Sequence, residues 1–184
     1  MNAFDPSPFD PSADLRDLGL LQGEMDELFA LDPACLARVV REVSGWSSEQ
    51  HLAHVALANE LVLRNLKSLA TGQGHLLVRE AESNPRALAV LAAGKLPRGQ
   101  AQSPRMVRPP ERVDRALLEL LLADGRAALR EIDPETLPVG EPKIPHQLLG
   151  PLDAPQWARF AAVHTRHHLA IVREVLAAVA PARR

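Results

Sequence analysis

Cysteine occurs once in these 184 residues, at Cys35, which excludes an internal disulfide framework and fits a reducing compartment. Tyrosine is absent, and the aromatic complement is four Phe and two Trp. Strands draw on aromatic and β-branched residues, so their scarcity beside abundant Ala and Leu favours helices. Neither sign of charge dominates: a formal net charge of −2 provides no basic field for nucleic acid. There is no apolar run of transmembrane length and no basic-then-apolar leader, so a cytoplasmic protein that stays off membranes is expected. Phosphate-loop, dinucleotide-binding, Gly-x-Ser-x-Gly and His-Glu-x-x-His motifs are all missing.

Proline, by contrast, is plentiful and divides the chain. Residues 1–13 repeat Phe-Asp-Pro-Ser and read as an extended or disordered arm that docks through Phe4 and Phe9. Residues 14–184 then fit one domain, large enough for its own core. Apolar periodicity predicts four principal helices over 14–31, 48–70, 111–131 and 154–179. Shorter helices are expected over 33–43, after the Asp32-Pro33 start, and over 75–82 and 85–93. In 33–43 the inward residues would be Leu36, Val39 and Val40; in 111–131 they would be Val113, Leu117, Leu120, Leu121 and Leu129. Residues 94–110 carry Lys95, Arg98, Arg105 and Arg108 with no acid and read as a solvated basic loop. Residues 133–152 read as a second long irregular connection. Four amphipathic helices of this length can close around one core as a bundle, with the long connections leaving room for crossovers.

The last helix carries the strongest signals. Asp153 and Gln156 form a capping box, Leu152 and Trp157 a hydrophobic staple, and Pro155 falls in the first turn, where its missing N–H costs little. Trp157, Ala161, His164, His168, Ile171 and Val175 then share one face, apolar except for two imidazoles one turn apart. Such a pair can hold one metal ion from two sides. The plainer reading is two semi-buried polar residues satisfied by neighbours. Ser47 and Gln50 make a second capping box, and the helix that follows turns His51, His54, Ala58, Leu61 and Asn65 to one side. His54 lies about 10 Å along its helix and His168 about 15 Å from the far end of its own, so antiparallel packing would bring the rings to similar depth.

The other histidines have weaker claims. His167 is rotated about 100° from His168 and suits a flanking place. His51 is a candidate neighbour of the site, and His146 could approach it from the connection before the last helix. His75 reads as a surface residue, Cys35 as a small core residue, and Trp46 and Trp157 as packing at helix starts.

GWSSEQHLAHVALANEL and HQLLGPLDAPQWARFAAVHTRHHLAIV resemble the metal-site helices of the DinB/YfiT-like superfamily, and come closest to a DinB-related branch of unknown function. The resemblance covers about 45 residues and implies an all-α four-helix bundle with up-down-down-up connections, often a homodimer. Carried over by position, the family's three ligands fall on His54, His164 and His168, holding a divalent ion, commonly nickel or zinc, with iron also accommodated by imidazole. Characterised relatives act as metal-dependent transferases and isomerases with low-molecular-weight thiols. Where many relatives follow the last ligand with Arg-Gly-Gln, this chain has Leu169-Ala170-Ile171. The expected function is metal-dependent transfer of a small thiol, or hydrolysis of a small substrate. The rival is a non-catalytic interaction bundle, stress-associated, with a vestigial or absent metal.

Overall fold

The computed structural model describes residues 8–99 and 102–179. Six α-helices and one small hairpin follow in order: α1 (Pro11–Phe29), α2 (Pro33–Leu36), α3 (Ser48–Thr71), α4 (Pro85–Ala93), α5 (Arg115–Arg130), β1 (Ile144–His146), β2 (Gly150–Leu152) and α6 (Ala154–Val179). The four long helices form the expected bundle. Ion pairs across it give the directions: Asp14, Asp17 and Glu24 of α1 meet Arg159, Arg166 and Arg173 of α6, rising together, so these two helices are parallel. Glu49 and Lys67 of α3 meet Arg115 and Glu131 at the two ends of α5, again in rising order. Asp26 of α1 meets Arg126 while the Phe29 carbonyl accepts from Arg115, so α1 and α5 are antiparallel. The path is therefore up, down, down, up, with the parallel α3 and α5 joined by a long crossover.

Local chemistry sets the ends of these helices. Asp10 accepts from the Ala13 amide and starts α1 at Pro11, three residues earlier than the periodicity predicts. Residues 11–13, expected within an N-terminal arm, instead form the first turn of α1. Residues 1–7, with the docking role expected of Phe4, lie outside the described residues, whereas Phe9 does pack against the core. Both capping boxes form: Ser47 with Gln50, and Asp153 with Gln156. Gly72 closes α3 in the left-handed region at φ 64°, which a side chain would strain.

Three sequence expectations are corrected. The helix predicted over 33–43 stops at Leu36, because the chain leaves the helical path to carry Ser44 and Trp46 over the start of α3; Val39 is exposed. No helix forms over 75–82: Val78 pairs with Lys143 instead, and Glu80 takes a φ of 58°. The third helix of the bundle, α5, begins at Arg115, where Asp114 caps it, and its register differs from that expected. Leu118, Leu122 and Gly125 face inward, while Leu117 and Leu120 are 54% and 60% exposed. A run of adjacent leucines satisfies two overlapping helical stripes, and packing against α1 and α3 selects between them.

The connection before α6 is less irregular than its prolines suggest. β1 and β2 pair antiparallel, Ile144 opposite Leu152 and His146 opposite Gly150. Ile144 and Leu152 are buried beneath Trp157, whose indole N–H donates to the Ile144 carbonyl at 3.2 Å. The hairpin thus seats the first turn of α6 and fixes how far along the bundle its histidines fall.

Candidate metal centre

α3 and α6 run antiparallel, so rising positions on one meet falling positions on the other: His51 lies against His168, and His54 against His164. Ring nitrogens of His54, His164 and His168 all lie within 4.8 Å of one another. His54 is 4% exposed, and His164 and His168 are half-buried as residues. The three rings expected to converge do so.

Hydrogen bonds settle which atoms face inward. His54 Nδ1 is 2.7 Å from the Val107 carbonyl, which can only accept, so Nδ1 carries the proton and Nε2 keeps a free lone pair. That lone pair lies 3.2 Å from His164 Nε2. For an ion 2.0–2.1 Å from each imidazole, tetrahedral geometry places the nitrogens about 3.3 Å apart. Backbone-carbonyl orientation of a ligating imidazole is also the usual supporting contact in metal sites. The donor set therefore fits a divalent ion held by three neutral nitrogens.

Burial reinforces neutrality. It is the largest influence lowering the proton affinity of His54, His164 and His168, with neighbouring rings adding to it; for His164 and His168 the fall is far below the ordinary imidazole range. His51 is brought down to about 4 by burial and then by its neighbours. Neutral imidazole is the form that binds a metal.

The surroundings are largely aromatic. Trp46 lies 5.3 Å from the His51 ring, 5.1 Å from that of His54 and 6.4 Å from that of His168, and Phe160 stacks on His164 at 5.1 Å. Trp46 is thus a wall of the group rather than only packing at a helix start. His164 Nδ1 is buried without a hydrogen-bond partner among the described residues.

The basic loop is more than a solvated surface. Val107 within it is buried and supplies the carbonyl to His54; Ser103 Oγ stands 3.4 Å from His54 Nδ1; and Gln50 donates to the Pro110 and Glu111 carbonyls. Arg98 forms a two-pronged pair with Glu174 of α6. These loop contacts were illegible in the sequence because a carbonyl is common to every residue. Trp46, by contrast, lies within the Gly-Trp-Ser-Ser start that carries the family resemblance, and Ser44 directly precedes it.

The other histidines separate cleanly. His167 packs edge-on against His168 at 5.1 Å, outside the converging three. His146 does not reach them: its Nδ1 accepts from the Leu148 and Leu149 amides, and Phe160 stands between it and His164. His75 is exposed, and Cys35 is half-buried beside Asp32. Leu169 and Ile171, which follow His168, are both buried.

A family model described as DinB superfamily matches residues 21–172. No curated protein matches the chain, and no solved structure does.

Proposed function

This chain belongs to the DinB superfamily, and from that premise we propose that His54, His164 and His168 bind one divalent metal ion and use it in catalysis on a small molecule. The observation that carries the reading is the 3.2 Å approach of two imidazole Nε2 atoms while the opposite nitrogen of His54 is held by a backbone carbonyl. The ion expected is nickel or zinc, with iron also suited to the donors. Bound there, it would supply Lewis acidity toward a thiol or a water molecule. The substrate class proposed is a low-molecular-weight thiol with an electrophilic acceptor, or else a small hydrolysable compound.

The protein's own contribution is geometric. Three neutral rings leave the ion's charge uncompensated, while Trp46 and Phe160 limit water around it. No carboxylate joins the histidine group among the described residues, so a substrate thiol fits better than a reaction needing a strong general base. A homodimer in the cytoplasm is proposed with this reading; the exposed Leu117 and Leu120 of α5 are consistent with an interface. No described helix is long and apolar enough to cross a membrane.

Elemental mass spectrometry of tag-free protein tests the site, beside a His164→Ala, His168→Ala double variant. About one equivalent of metal in the parent and little in the variant is expected, as for a three-imidazole centre. That result would justify a screen of thiols and acceptors. A folded parent that takes up no metal on loading would leave the rival reading, a non-catalytic interaction bundle. The unpartnered His164 Nδ1 is what favours that rival, because a ligating ring usually has an acceptor behind it.

A further inference from the structure

His51 is 3% exposed and is not among the three candidate ligands. Its Nδ1 lies 3.0 Å from Nδ1 of His168, and its Nε2 lies 2.8 Å from Ser44 Oγ. Ser44 Oγ also accepts from the Trp46 amide at 3.0 Å. Serine, His51 and His168 therefore form one chain of contacts ending at a candidate ligand.

Two neutral imidazoles that meet Nδ1 to Nδ1 share a single proton between those atoms, so their tautomers are linked. Suppose His51 donates. His168 must then carry its own proton on Nε2, and that nitrogen is closed to a metal. Suppose instead that His168 donates from Nδ1. His51 then carries its proton on Nε2 and gives it to Ser44, while His168 Nε2 keeps a free lone pair. The second arrangement leaves Ser44 Oγ accepting twice, from Trp46 and from His51, which a hydroxyl oxygen can do.

We propose that His51, backed by Ser44, is a positioning residue that holds His168 in the tautomer and ring orientation presenting Nε2 to His54 and His164. The inference rests on the metal-site reading above. It differs from the usual arrangement in that the acceptor is a neutral imidazole where a carboxylate or carbonyl is commoner. A neutral acceptor orients the ligand without adding negative charge, so the site keeps its electrophilic character.

Cobalt(II) is a suitable probe, read by its visible absorption and by competition against a chelator. His51→Phe keeps a ring and removes the acceptor; His51→Asn restores an acceptor oxygen near the Nδ1 position. The Phe variant is expected to bind cobalt about 10–100-fold more weakly, and the Asn variant within about threefold of the parent, with metal-free melting little changed in either. Equal binding by parent and Phe variant would overturn the inference while leaving the metal site standing. An Asn variant as weak as the Phe variant would also overturn it, because the role would then be packing. A parent that binds no cobalt removes the metal reading and this inference together. Should the Phe variant fail to fold, nitrogen-15 NMR of zinc-loaded parent decides independently. His51 protonated on Nε2 and His168 on Nδ1 is the expected pattern; His51 protonated on Nδ1 overturns the proposal.

Discussion

Along its first half α3 meets α6 through His51 and His54; along its second half it offers Val62, Leu63, Leu66 and Leu69 to a core that includes Trp157, Ala158, Ala161, Leu152 and Ile144. One antiparallel helix pair thus has an imidazole end and a hydrocarbon end. The hydrocarbon end removes apolar surface from water and holds the helices at a fixed distance. The imidazole end brings buried rings together, one of them with an unpartnered nitrogen, and contributes less to folding than a leucine layer in the same place would. The apolar core and the histidine group therefore occupy different stretches of the same two helices.

The comparison can be broken most forcefully from the apolar end. Leu66→Ala is expected to lower the unfolding free energy by about 2–5 kcal/mol, measured by denaturant titration, while cobalt affinity of the molecules that remain folded stays near the parent's. If that affinity fell in step, the two ends would not be separable. From the other end, a His164→Phe, His168→Phe double variant should lose its metal yet melt, metal-free, at or above the metal-free parent. A large drop in that melting temperature would mean that the imidazoles are structural.

A smaller effect concerns pH. Burial holds His146, away from the candidate ligands, down at about 4 from an ordinary value of 6.5. Between those values the unfolded chain takes up a proton that the folded chain refuses, so stability falls as the pH drops through this window and is unaffected above it. His146→Asn keeps an acceptor for the Leu148 and Leu149 amides without titrating there, and should flatten the slope of the denaturation midpoint against pH between about 6.5 and 4. An unchanged slope would show that His146 already protonates normally in the folded state. The smallest effect is expected at Arg98→Gln, which removes an exposed pair with Glu174. The denaturation midpoint should not move measurably, since exposed pairs contribute little; a clear shift would mean that the basic loop helps hold the bundle together.

What the sequence made legible follows from the kind of signal each region carries. α3 and α6 were readable because Ser47 with Gln50, and Asp153 with Gln156, mark starts that depend only on local hydrogen bonds. Their inward faces were readable because a histidine in an apolar stripe is conspicuous. The facing of α5 was not, since Leu117, Leu118, Leu120, Leu121 and Leu122 look alike and only the partner helices distinguish them. β1 and β2 were hidden by Pro145 and Pro151, which sit opposite each other in a pairing too short to show alternation. His54, His164 and His168 could be named from position, but the Val107 carbonyl and the His51–Ser44 contacts behind them exist only once the chain is folded.

His54 and His164 are 110 positions apart in the chain, yet their nitrogens nearly touch. In polymer terms they close a loop of more than half the molecule, and joining such ends in a free chain costs about 4 kcal/mol of entropy on the logarithmic scaling. The leucines and Trp157 further along the same helices meet that cost when the bundle folds. Whatever binds between the rings meets ends already joined, so its affinity reflects the contacts it makes and not the search that brought them together.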